Sequence, residues 1–520
     1  MRSERKTAMF YHSAPHQGVA CHRTWGRIGG LSKHDVYRTV VSVTLSKHRG
    51  SGAVTYRRHT GLKPDCAGRR FRDPMLMVSP FTWAPRKRNL PMLHLATGPT
   101  VGDTVTAINS LWLIVGAALV LLMTPGVAFF YGGMVKAKSV ISMMMMSFGA
   151  IAIVGVLWVL YGYGLSFGTP LIPHLLGNPF DASNNLIGLT SLLGIGKDGS
   201  MAPNLNGLAF VGFQATFAII TVALISGAIA DRAKFGSWLI FAGVWVTVVY
   251  FPVAYWVFNL SDGIFGAAVA KGGIGVNDFA GGTAVHINAG AAGLALALVL
   301  GKRVGFKKGM NAPHNVPLTL LGAALLWFGW FGFNSGSEAA VDGVAAIAWI
   351  NTLAAPAAAT LGWLIVEKIK DGKPTSIGAA SGAVSGLVAI TPACNILTPG
   401  WGLLLGLLTG ALCAIAIEWK FKLGFDDSLD VVGIHLIGGL FGTLYIGIFG
   451  AGIGFIDSGS FMQLGKQALG AFSVMIYSFV LAFVIGTIIE RTIGFRIKTE
   501  DEVAGVDTVV HGEESYALEG

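Results

Sequence analysis

Residues 278–290 read DFAGGTAVHINAG, and residues 430–439 read DVVGIHLIGG. Each stretch opens on an aspartate and then runs through glycine and apolar residues to a single histidine, His286 or His435. The residues after each histidine are alike as well, His286-Ile-Asn-Ala-Gly and His435-Leu-Ile-Gly-Gly. An ionisable ring inside an apolar segment is costly; where one is kept, it faces the interior of a helix bundle or a cavity.

The chain around these stretches has the composition of an integral membrane protein. Of its 520 residues, 53% are apolar and only 12% charged, where soluble chains carry about 25% charged residues. Glycine is heavy at 72 residues, which lets helix backbones approach closely and leaves room for a lumen. The four cysteines, Cys21, Cys66, Cys394 and Cys413, form neither a CxxC nor a disulfide framework.

From about residue 105 onward, apolar runs long enough to span a bilayer recur between short polar breaks. Eleven spans are read, near 107–131, 139–168, 205–229, 236–258, 281–301, 316–334, 342–366, 376–392, 399–419, 431–452 and 467–490. The eighth is short and broken by glycine, so a count of ten is the alternative. Sixteen Lys and Arg, from Lys136 and Lys138 through Arg232, Arg303 and Lys420 to Arg491, Arg496 and Lys498, fall on one side of these spans. Only Lys197, Lys271 and Lys466 fall on the other. The bias places the C-terminus in the cytoplasm, and the expected home is the plasma (inner) membrane.

His286 and His435 then fall in helices five and ten, about two turns inside each. Two five-helix halves plus a final helix would make these positions equivalent. Because five is odd, the halves would have inverted topology, an arrangement that builds a site at the repeat interface. The expected fold is therefore an all-α integral membrane protein of eleven transmembrane helices, in two inverted five-helix repeats plus a final helix.

Residues 1–100 fit none of this. They hold 18 Lys+Arg against 4 Asp+Glu, a net +14, whereas the rest of the chain is net −4. No apolar run there is long enough for the core of a signal peptide. The expectation is a start at Met75 or Met92, the alternative a disordered basic extension. Residues 101–495 form the membrane domain and 496–520 a cytoplasmic tail.

A single intramembrane histidine is as readily structural as functional; two in equivalent positions favour function. Together they can form a lumen pair, each imidazole fixing the tautomer of the other. Asp278 reads as the N-cap of helix five, with an electrostatic role compatible with capping. Asp430 reads as the cap of helix ten, with Asp426 and Asp427 as solvated loop charges. Phe213 and Phe217 share one face of helix three, and Phe333 and Ser337 one face at the end of helix six. Aromatic faces and a hydroxyl suit a desolvated cation, although spacing alone favours ordinary packing. No Walker loop, HExxH or G-x-S-x-G occurs, so hydrolysis is not expected.

Taken in order, PGVAFFYGGMVKAKSV (125–140), VGFQATFA (211–218), GAIADR (227–232), DFAGGTAVHINAG (278–290), GKRVGF (301–306), WFGFNSGS (330–337), TPACN (391–395) and DVVGIH (430–435) resemble the ammonium transporter family (Amt/Mep/Rh). HGEESYA (511–517) resembles the family's cytoplasmic C-terminus. The resemblance implies a homotrimer with one pore per subunit. It matches His286 and His435 to pore-lining twin histidines, and Phe217 and Phe333 to the stacked pair at the outer mouth. Phe213 and Ser337 match an external cation-recruitment site, Asp278 the aspartate behind it, and Thr391 a pore-adjacent threonine. The family's recruitment site usually carries a tryptophan late in helix four, where this chain has Phe258, a weaker cation–π partner. The retained Ser337 favours the Amt branch.

What the resemblance implies is an ammonium transporter that recruits the cation at an outer vestibule, deprotonates it and conducts ammonia past the two histidines. The alternative is an ammonium sensor acting through a cytoplasmic partner, with a PII-type signalling protein as the family's example. A third reading, a metalloenzyme built on the two histidines, lacks a third ligand and an open coordination position. No cofactor, metal or nucleic-acid partner is expected; the partners are ammonium or ammonia and the lipid bilayer.

Overall fold

The computed structural model describes residues 100–180, 205–307 and 312–516. The basic head and its expected start lie outside the described residues. Among the described residues ten helices are long and apolar enough to cross a membrane. They are α1 (Val101–Met134), α2 (Val140–Phe167), α3 (Asn206–Ile229), α4 (Phe235–Phe258), α5 (Gly282–Leu300), α6 (Val316–Gly336), α7 (Gly343–Lys370), α9 (Pro399–Leu423), α10 (Val432–Phe449) and α11 (Met462–Thr492). Between α7 and α9 lies α8 (Ser376–Ile390), apolar but only 15 residues long. The chain is thus an all-α, multi-pass membrane protein, and its eighth apolar segment is the short one.

Several helices outrun the apolar windows that mark them in sequence. Helix α1 has 34 residues, about 50 Å at 1.5 Å per residue, against a hydrocarbon core of about 30 Å. Its start is fixed by a capping box in which Thr100 accepts from the Asp103 backbone and Asp103 returns the bond. A window of hydropathy sees only the oily middle.

Helix pairings recur five helices on: α1 packs on α3 and α6 on α8, α2 on α4 and α7 on α9, α3 on α5 and α8 on α10. This is the pattern two five-helix halves produce. The halves meet closely along α1 and α6, where a side chain at Gly322 would run into the backbone of Phe130. Small residues at such crossings replace the hydrophobic drive that lipid does not supply.

Two local features escape hydropathy. A short hairpin, β1 (Pro170–Ile172) with β2 (Leu176–Gly177), follows α2. In addition, both histidine segments are wound as π turns, Gly282–Ile287 and Val432–Leu436, a local widening that recurs at functional sites. The histidines consequently lie in the first turn of α5 and α10, not two turns in.

The end of the bundle that carries the basic loops is tied by buried charges. The Arg303 guanidinium donates to both Asp426 oxygens through Nε and Nη2, at 3.0 and 2.9 Å, and to Asp231 at 2.9 Å. Burial opposes the charge on Asp426, but Arg303 outweighs it and holds the carboxyl below its ordinary value. Glu502 accepts from the Val304 backbone and from Arg496, and Asp507 from the Ile141 and Ser142 backbones. The tail is therefore docked on its own chain.

The reading of 426–430 needs correction. Asp426 and Asp427 are each 1% exposed, not solvated. Asp427 caps α10, accepting from the Val431 and Val432 backbones, while Asp430 pairs with Lys420 at 2.6 Å. The side chain that reaches free N–H groups decides the cap, and spacing did not discriminate among three neighbouring aspartates.

Candidate functional site

Asp278 organises the start of α5. Its Oδ1 accepts from the Gly281 and Gly282 backbones at 3.1 and 2.6 Å, and its Oδ2 from Thr283 and Ala284 at 2.9 Å each. Four orphan N–H groups of a helix start converge on one carboxylate. This fixes the π turn that aims His286 inward. A Cβ on Gly290 would sit 2.6 Å from the Leu436 backbone nitrogen. That contact lets α5 and α10 cross closely enough for their rings to meet.

His435 Nδ1 lies 3.2 Å from His286 Nδ1. The rings are buried, at 3% and 1% exposure, with centroids 5.3 Å apart and planes 22° apart. His286 also stacks on Trp330 at 5.3 Å, and the Trp330 indole donates to Thr391 Oγ1 at 2.8 Å. Thr391 therefore touches the histidine pair through Trp330. That link joins α6 to the residue after α8, and no spacing rule contained it.

Phe217 and Phe333 stack face to face, with centroids 4.1 Å apart and planes 6° apart. Phe333 is 6.1 Å from His286, and Phe258 meets Phe217 edge-on, also at 6.1 Å. The rings form a column from Phe258 through the Phe217–Phe333 pair to His286 and His435. Phe213 sits behind it, 4.8 Å from Phe217, buried against Gly116 and Gly336.

Beyond Phe217 and Phe333, at the lysine-poor end, opens a cavity of about 910 Å³ lined by Phe258, Ser337 and Asp278, among others. The Ser337 hydroxyl donates to the Phe333 carbonyl at 2.7 Å, so its lone pairs remain free to accept. Sequence reasoning missed several polar residues on the same wall, among them Gln214, Glu338 and Asn395. Gln214 Oε1 and Asn395 Oδ1 are buried without a protein partner. Gln214 follows Phe213 in a segment already singled out, and Glu338 follows Ser337; a search for acceptors beside the aromatic face would have found both.

The arrangement offers hydrogen-bond acceptors at a wide mouth, a tightly stacked pair of rings and, behind it, two buried imidazoles. Among the described residues no group of three His, Cys, Asp or Glu is placed to hold a metal ion. A smaller cavity, of about 190 Å³, lies at the basic end and is lined by Arg303, Lys307 and Lys420, among others.

The family model described as the Ammonium Transporter Family matches residues 111–516. An ammonium transporter of Mycobacterium tuberculosis (strain H37Rv) is 50% identical over 447 residues, covering 80% of this chain and 91% of that relative. One from Bacillus subtilis (strain 168) is 43% identical over 428 residues, covering 80% and 98%. A solved structure described as "Sensor Amt Protein" is similar with a TM-score of 0.71 at 29% identity, covering 79% of this chain and 100% of that one.

Proposed function

The chain belongs to the ammonium transporter family, and from that premise we propose that it moves ammonium across a membrane by separating the cation from one proton. The observation that carries the reading is the unbroken column of rings from Phe258 through Phe217 and Phe333 to His286 and His435.

Ammonium and potassium are close in size and equal in charge, so a constriction separates them poorly by diameter. Taking either as a bare ion through a dry apolar lumen costs many kcal/mol. Ammonium can shed a proton and potassium cannot. Phe258 and Ser337 meet the cation in the vestibule, with Phe213 backing Phe217. The proton leaves near Phe217 and Phe333, and ammonia then passes the two imidazoles. Asp278 acts on this path by holding His286 in place, and Thr391 by orienting Trp330 beneath it.

The lysine-poor cavity faces outward and the tail lies in the cytoplasm, following the bias of basic loops. A homotrimer in the plasma membrane is the assembly, and the basic end is where a PII-type signalling protein would dock. The sensor alternative has less behind it, since the relatives at 43% and 50% identity are named transporters.

The test is the current from reconstituted proteoliposomes after an ammonium jump, set against an equal potassium jump. A response to ammonium alone is expected. Equal responses to both ions would overturn the deprotonation step.

A further inference from the structure

The vestibule wall carries two carboxylates and no basic residue: Asp278 and Glu338. All four acceptor positions of Asp278 are taken by backbone N–H groups, so its charge is committed to the start of α5. Glu338 is differently placed. The chain turns sharply after α6, with Ala339 at a φ of +55°, and the turn sets Ser337, Glu338 and Ala339 side by side on the wall. Its acidic neighbour is Asp342. Asp342 in turn spends its Oδ1 on the Val344 and Ala345 backbones at the start of α7. Burial first, and Asp342 second, push the Glu338 carboxyl above its ordinary value.

An acidic pair alone does not make a binding site, but an independent feature of the same cavity points to a ligand. Gln214, on α3, is only 7% exposed; it lines the cavity, and its Oε1 has no protein partner. A buried carbonyl without a donor is costly. With the free lone pairs of Ser337 and Asn395 Oδ1, the wall holds three neutral acceptors beside the Glu338 carboxylate. Its chemical complement is a small cation rich in N–H donors.

We propose that Glu338 is a recruiting residue of the vestibule, its carboxylate drawing in an ammonium-type cation that Gln214 Oε1 and Ser337 Oγ accept from. The inference rests on the transport reading and names the charge that acts at its mouth. It also gives physical sense to Phe258. A phenylalanine face attracts a cation weakly, whereas a carboxylate beside the cavity attracts it by charge and over a longer range.

The experiment compares the intact protein with Glu338→Gln and Glu338→Asp in proteoliposomes, titrating ammonium at ionic strengths of about 10 and 150 mM. Charge steering is strong at the lower value and screened at the higher. Glu338→Gln is expected to raise the half-saturating ammonium concentration about fivefold at low salt. The difference should shrink at high salt, the maximal current should be kept, and Glu338→Asp should retain most of the affinity. Equal half-saturation in the intact protein and Glu338→Gln at low salt would overturn the proposal. So would a fall in maximal current with half-saturation unchanged, which would mark a structural role. A second readout, the broadening of the ¹⁵N-ammonium resonance by purified protein, separates the two inferences. Broadening that Glu338→Gln abolishes, in a protein that passes no current, would sink the transport reading and uphold the role of Glu338.

Discussion

His435 and His286 face each other through their Nδ1 atoms at 3.2 Å, so one ring donates there and the other accepts. A neutral imidazole has one donor and one acceptor nitrogen. The ring that donates through Nδ1 therefore keeps an acceptor at Nε2, and its partner keeps a donor. The pair thus keeps one further donor and one further acceptor without carrying charge.

His286→Phe keeps a ring at this place and removes both nitrogens. The Nδ1 of His435 then loses its partner, a loss of about 1–3 kcal/mol. Ammonium-driven current is expected to fall about five- to 150-fold on that scale, with the variant still folded by its melting temperature in detergent. Wild-type current would take the pair off the transport path.

Thr391→Val removes the acceptor of the Trp330 indole while keeping the side-chain shape. The stranded indole N–H costs about 1–3 kcal/mol, and Trp330 loses the bond that holds its face against His286. A lower melting temperature and a severalfold lower current are expected, with Thr391→Ser recovering both. If Thr391→Ser behaves like Thr391→Val, the hydrogen bond is not what matters.

Phe258→Trp places a stronger cation–π partner beside Phe217. The ring borders the large cavity, so the bigger side chain has open space on one side. Half-saturating ammonium should fall about two- to fivefold, the equivalent of about 0.5–1 kcal/mol. Unchanged half-saturation in a titration of current would show that this position does not meet the cation.

Asp427 gives a pH prediction. Burial pushes its carboxyl up from 3.8 to about 6, against the pull of Lys420. A carboxyl raised in the folded chain resists ionisation, so its penalty is absent below the unfolded value. The penalty grows between those two values and is complete above the higher one, at about 3 kcal/mol. Asp427→Asn removes that penalty and, with one acceptor oxygen in place of two, gives up one of the two backbone bonds of the α10 cap, about 1 kcal/mol at every pH. The stability of the variant relative to the intact protein should therefore improve as pH rises from about 4 to about 7. Unfolding midpoints across that range check it, and a flat difference would refute the raised carboxyl.

Much of the fold was legible because a bilayer leaves few choices. Each spanning segment must satisfy its own backbone hydrogen bonds, so apolar runs become helices, and the short eighth run emerges as the 15-residue α8. Asp278 was legible as a cap for a similar reason: the groups it binds lie three to six residues away. The π turns were not legible, since hydropathy carries no information on whether a turn closes at four residues or five.

The sequence by itself determined the spans, their order, the end that bears the basic loops, and the twin placing of His286 and His435 in the two halves. These follow from local composition and periodicity. Only the tertiary structure decided which aspartate near α10 caps, which pairs with lysine and which meets Arg303, a residue 123 positions away. The tertiary structure also decided that Trp330 links Thr391 to His286 and that Gln214 and Glu338 share one wall. The physical reason is the same in each case. A polar group in a bundle takes its role from the partner that desolvates it or pairs with it, and that partner comes from another helix.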